Sequence, residues 1–168
     1  MIGGIASEAS GGEFMDGAIS AVYVYIFNDL LTFNGKYLNH YDDTGKLIRK
    51  IPATSGRPGT TAADQNKKNI GPLPEGTYII NPKEISEVRG IKYFIRNLLG
   101  DWGHFRVVLH PDNSTNTYGR SGFFIHGGDR PGSAGCIDVG KYDSMLFNRF
   151  DYGLIFHKGK IILKVRYE

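Results

Sequence analysis

One cysteine, one tryptophan and no long apolar run are the scarcities of this 168-residue chain. A lone cysteine, Cys136, rules out a disulfide within the monomer. The apolar stretch Ala18 to Phe27 is soon interrupted by Asn28 and Asp29, and a membrane span needs about 20 apolar residues, so no span is expected. No lysine or arginine precedes Lys36, and Glu8, Glu13 and Asp16 stand where a signal peptide carries basic residues. No signal peptide is expected. The Gly-x-x-x-x-Gly-Lys phosphate loop is missing. The net charge of +3 comes from scattered basic pairs such as Arg49-Lys50 and Lys67-Lys68 rather than from a basic face, which argues against nucleic acid as a partner. His104 and His110 lack a third ligand at zinc spacing, so no metal and no organic cofactor is expected.

Against those scarcities stand 23 glycines, 10 tyrosines and 10 phenylalanines. Short apolar runs between turn residues suit one mainly β domain. Residues 1–29 read as a leader or linker, with helix and strand competing over 13–28, and residues 30–168 as the folded domain. Leu31 to Tyr41 and Lys46 to Thr54 are predicted strands joined at Asp42-Asp43-Thr44-Gly45. Residues 60–71 read as an exposed polar loop. Thr77 to Ile80 reads as a strand behind the turn Glu75-Gly76. Phe105 to Leu109 and Gly122 to Ile125 are further strands. Lys83 to Leu99 fits a short helix or an irregular insertion. Val139 to Phe150 has helical spacing with Asp138 as N-cap, and Leu154 to His157 with Lys160 to Val165 reads as a terminal hairpin.

The segment Ser121 to Gly140, SGFFIHGGDRPGSAGCIDVG, concentrates the chemistry. Phe123-Phe124-Ile125 reads as a buried strand that delivers His126 to a fixed place. Ten positions later a Ser-Ala-Gly-Cys turn presents Cys136. A thiol reacts as thiolate, and an imidazole that accepts its proton makes a nucleophile–base pair. A buried cysteine of no chemical interest is the competing reading. The glycine before Cys136 and the polar loop leading to it favour chemistry. Backbone N–H groups of so glycine-rich a turn can approach a substrate carbonyl closely.

The pattern Ile-His-Gly, a short loop and Ser-x-Gly-Cys-Ile resembles the catalytic domain of the L,D-transpeptidase (YkuD-like) family, over roughly residues 31 to 167. Ser55 to Gly59 and Gly71 to Ile80 resemble further elements of that family. The compact form GRSGFFIHGG…GSAGCID looks closer to the type VI-secreted L,D-transpeptidase effectors, and GGEFMDGAISAVYVYIFND looks like the joint preceding Rhs-type and other polymorphic toxin domains. Three departures are plain: a shorter His-to-Cys loop, Ala134 where many members have histidine, and Asp138 where arginine or asparagine is common.

The resemblance implies an L,D-transpeptidase-like β-sandwich or barrel with one or two short helices. It implies Cys136 as nucleophile on a peptidoglycan stem peptide, His126 as base, and the Gly135 and Cys136 amides as the oxyanion hole. Ser133 is expected to brace the loop or donate to substrate, and the Gly127 carbonyl to orient the imidazole. Arg120, Arg130 and Asp138 are candidates for substrate binding, because guanidinium suits the stem's carboxylates. The implied outcome is an antibacterial toxin, secreted by its producer and acting in the target-cell periplasm. The resemblance implies cleavage of the bond between diaminopimelate and D-Ala, with D-amino-acid exchange. The expected partners are the secretion machinery and a cognate immunity protein, and the expected state is a monomer. Three alternatives stay open: a 3–3 crosslinking transpeptidase, a cytoplasmic cysteine acyltransferase or protease toxin, and a non-catalytic cell-wall binding module.

Overall fold

Asn34-Gly35 sets the first bend of the chain. Gly35 has φ of 93°, where side chains are disfavoured, and the Asn34 carboxamide accepts the N–H groups of Lys36 and Tyr37. The expected single strand from Leu31 to Tyr41 is therefore two, β1 (Leu30–Phe33) and β2 (Tyr37–Tyr41), paired antiparallel. The computed structural model describes residues 30–42, 44–87, 90, 92, 95, 102–147 and 159–168. The expected leader 1–29 and the strand 154–157 lie outside them.

The second turn holds as read. Asp42 accepts the N–H groups of Thr44 and Lys46 and turns β2 into β3 (Leu47–Pro52). β4 (Thr54–Ser55) follows at once, and β5 (Gly76–Ile80) is the predicted aromatic and β-branched strand. After it come β6 (Ser86–Glu87), β7 (Phe105–Val108), β8 (His110–Pro111), β9 (Phe124–His126), β10 (Ile137–Asp138), the helix α1 (Asp143–Phe147) and β11 (Ile161–Val165). Short 3-10 turns occupy Ala62–Asp64, Pro82–Glu84 and Gly140–Tyr142.

Two mixed sheets result, ordered β3-β2-β1-β11-β5-β8 and β4-β10-β9-β7-β6. The fold is mainly β, as the composition suggests. β11 lies between β1, to which it runs parallel, and β5. Both its edges are taken, so it is a central strand rather than half of a terminal hairpin. Its apolar sequence Ile161-Ile162-Leu163 agrees with burial on both faces. The core joins the sheets through Leu31, Phe33, Tyr78 and Leu163 on one side and Phe105, Val107, Ile125 and Ile137 on the other. Phe147 of α1 stacks on Phe105 at 5.6 Å between ring centroids.

β9 and β10 run parallel. Parallel neighbours need a crossover rather than a tight hairpin, and here the crossover is the glycine-rich segment 127–136. The link that carries the candidate chemistry is thus also what the topology requires.

Candidate active site

Strand register assembles the site. In the β9–β10 pair Ile137 lies beside Ile125, and Asp138 beside His126. Paired residues share a face and successive residues alternate. Ile125 and Ile137, both 0% exposed, turn into the core. His126 and Asp138 turn the other way, with Phe124. Continued one residue back from Ile137, the same register sets Cys136, just outside β10, level with Phe124. Cys136 and His126 are thus diagonal neighbours across one ladder, at 2% and 3% exposure.

The imidazole is held from two directions. Its Nδ1 lies 2.6 Å from the Gly127 carbonyl, a contact only an Nδ1–H can make favourably. That bond leaves Nε2 carrying the lone pair, buried and without a hydrogen-bond partner among the described residues. Trp102 packs against the ring at 4.9 Å and against Phe124 at 5.4 Å. Arg106, which pairs with His126 in the β7–β9 ladder, lies 5.3 Å from the Trp102 ring. Neither Trp102 nor Arg106 was singled out in the sequence. The signal was there: the chain's sole tryptophan stands just before a strand whose exposed-side residue is an arginine.

Asp143 is the other omission. It starts α1, is 4% exposed, and accepts the N–H of Ser144 while its second oxygen accepts those of His104 and Phe105 at 2.8 and 3.3 Å. A Cβ on Gly127 would lie 2.5 Å from that second oxygen. Gly127 must be glycine because this carboxylate fills the space, and the carboxylate ties α1 to the start of β7 beneath the imidazole's anchor.

The sulfur sits in a stiff turn. The thiol donates to the Gly122 carbonyl at 3.9 Å, and the Ser133 carbonyl accepts the N–H groups of Gly56 (3.1 Å) and Cys136 (3.2 Å). Burial is the largest influence on Cys136 and pushes its thiol up from the ordinary value. The Ser133 hydroxyl, the Phe124 N–H and the Arg120 charge oppose that rise, and Asp138 adds to it. The sulfur therefore rests as a thiol at neutral pH and needs a base on attack.

Other expected residues are placed differently. Gly135 gives its N–H to the Gly71 carbonyl at 2.9 Å, so it does not face a substrate oxyanion; Cys136 retains the longer, weaker turn bond. Arg120 is 7% exposed, and its guanidinium donates to the carbonyls of Gln65, Pro72 and Gly71 beneath the turn rather than reaching outward. Arg130 is exposed on the crossover. Asp138 accepts the Gly140 N–H at 2.8 Å, starting the 3-10 turn one residue beyond the expected cap. It also lines a cavity of about 540 Å³ with Thr54, Asp129, Lys141 and Tyr142. His104 and His110 do not converge: His110 pairs with Glu84 at 2.6 Å. Among the described residues no group of three or more His, Cys, Asp or Glu side chains could hold a metal ion.

Two comparisons bear on this geometry. No curated protein matches the chain. A family model described as the Tlde1 domain, a type VI secretion effector domain, matches residues 52–162, well over half of the sequence and all of the site. Effectors of that family are enzymatic antibacterial toxins delivered into target cells. The chain therefore belongs to the Tlde1 domain family of type VI secretion effectors.

Proposed function

We propose that the chain is a cysteine-dependent L,D-carboxypeptidase of peptidoglycan stem peptides, with D-amino-acid exchange as its second outcome. The observation that carries the reading is the common face of β9 and β10, on which a buried thiol lies diagonal to an imidazole whose Nδ1–H is tied to Gly127. Nε2 of His126 takes the Cys136 proton as the sulfur attacks the carbonyl between diaminopimelate and D-Ala. The Cys136 N–H steadies the developing oxyanion, and the same imidazolium protonates the departing D-Ala amine. A thioester and free D-Ala result. Water then releases a tripeptide, or a D-amino acid takes D-Ala's place.

The preference for water rests on the crossover. Nine residues, pinned through Ser133 to Gly56 and through Gly135 to Gly71, leave little chain to cover the thioester. A bulky second stem needs a shaped acceptor site, whereas water needs almost none. The 3–3 crosslinking alternative has one observation in its favour, the cavity beside Asp138, whose volume of about 540 Å³ is in the range of small-ligand pockets. Muropeptide analysis after expression with a fused export signal separates the two. Tripeptide accumulation at the expense of tetrapeptide supports trimming; 3–3 dimers with undiminished tetrapeptide overturn it. The proposed target lies in the periplasm, so expression without an export signal should be harmless. Equal toxicity from the cytoplasm would favour an intracellular acyltransferase or protease.

A further inference from the structure

A buried arginine behind the nucleophile has no role in the scheme above. Arg120 stands at the foot of the approach to β9, and its guanidinium is enclosed by three backbone carbonyls. Both hydrogens of Nη1 are engaged, by Gln65 and by Pro72 at 2.7 Å, while Nη2 donates to Gly71 at 2.9 Å. The Gly71 carbonyl is also the acceptor for the Gly135 N–H, again at 2.9 Å. One oxygen thus joins the guanidinium to the residue preceding Cys136. The fit there is close. Gly135 has φ of 76°, and a Cβ on it would lie 2.9 Å from Nη2 and 3.2 Å from the Phe123 ring.

The charge matters as well as the fork. The titratable groups that interact with the Arg120 charge are Tyr78, Tyr167 and Cys136. Burial pushes both phenols well above the ordinary tyrosine range, so neither supplies an anion at working pH. Of the three, the thiol is the group that ionises during the proposed reaction.

We propose that Arg120 is a positioning residue for the nucleophile: it fixes the Gly71 carbonyl that holds the Gly135-Cys136 turn and sets its guanidinium directly behind that turn. This role rests on Cys136 being the nucleophile and not on the identity of the substrate. Among the described residues, the other charged group that acts on the sulfur is Asp138 on β10. Asp138 opposes the thiolate, which gives a compensating cation behind the sulfur a clear task.

The test compares Arg120→Met, which loses charge and fork, with Arg120→Lys, which keeps the charge alone. The readouts are iodoacetamide alkylation of Cys136 against pH, and kcat and KM for D-Ala release from stem tetrapeptide. In folded Arg120→Met the alkylation midpoint should rise by up to about one pH unit, the scale for losing a nearby opposite charge. Its kcat should fall by about a hundredfold, as displacement of a catalytic group by ~1 Å can cost, with KM little changed. Arg120→Lys should recover the midpoint while kcat stays below wild type. Wild-type midpoint and kcat in a folded Met variant overturn the proposal. If the Met variant does not fold, wild-type kcat in Arg120→Lys overturns the positioning role.

The wild-type protein supplies a check that depends on no variant. At pH 9 anionic iodoacetate should gain on neutral iodoacetamide, relative to their ratio with free cysteine. An unchanged ratio contradicts a cation behind the sulfur. Alkylation as expected with stem peptides left intact would keep this role and sink the substrate reading instead.

Discussion

Between β9 and β10, Ile125 and Ile137 turn to one side, while His126 and Asp138 turn to the other, and Cys136 stands just ahead of β10. The first side is apolar, fully buried and continuous with a core that spans both sheets. The second is nearly as buried, yet it holds an imidazole, a carboxylate and a thiol. The difference lies in what satisfies each face. Close packing is enough for the isoleucines, whereas the side chains on the other side are anchored through hydrogen bonds, with His126 Nε2 left open. Gly127 serves His126, Gly140 serves Asp138, and the Gly122 carbonyl serves Cys136. Two very short strands can therefore carry stability on one face and chemistry on the other.

If the faces divide the work this way, substitutions should divide too. The largest effect is expected at Cys136. Cys136→Ala should abolish D-Ala release while thermal unfolding stays close to wild type, read by product mass spectrometry beside circular dichroism. His126→Ala should slow turnover by about 10²–10⁴-fold, the range for a positioned general base, across pH 6–9. A near wild-type rate would assign the base to another group.

The core face should behave oppositely. Ile137→Ala should lower unfolding free energy by about 2–5 kcal/mol, since it opens a cavity at a fully buried position. Below its shifted unfolding transition it should still turn over substrate. Denaturant unfolding and activity measured on one preparation separate the two. Loss of activity without loss of stability would erase the distinction between the faces.

A smaller effect is expected at Ser133. Burial holds the Cys136 thiol above its ordinary value, so alkylation should climb with pH through a midpoint above the free-thiol value of about 8.5. The Ser133 hydroxyl favours the thiolate. Ser133→Ala should therefore move the midpoint higher still and slow alkylation at pH 7. A midpoint that stays put, or falls, would remove the hydroxyl from the account.

The uneven legibility of these features in the sequence has physical reasons. His126 and Cys136 stood out because a lone thiol in a Gly-flanked turn and a histidine ending an apolar strand are local patterns. β5 and the turn at Asp42 were equally local. The bend at Asn34-Gly35 is local as well, but the apolar and aromatic residues on both sides of it mask it within a strand pattern. β11 could not be placed from its own residues, since its neighbours β1 and β5 are remote in sequence. The part played by Arg120 and the place of Asp143 are hidden for a similar reason. Arg120 meets the carbonyls of Gln65, Gly71 and Pro72, and Asp143 meets the amides of His104 and Phe105. Such partners lie about 40 to 55 positions away and are visible only once the sheets close. The Gly135 amide shows the limit of carrying a motif over: its neighbour in space, the Gly71 carbonyl, decides its role.

The central claim is that Cys136 becomes acylated with His126 as its base, and acid-quenched intact-mass spectrometry after mixing with stem tetrapeptide tests it most directly. A mass increase matching the tripeptide acyl group, mapped to Cys136 and accompanied by released D-Ala, is the predicted result. The same mixture with Cys136→Ala should give neither adduct nor D-Ala. Release of D-Ala by the alanine variant at the wild-type rate would contradict the claim.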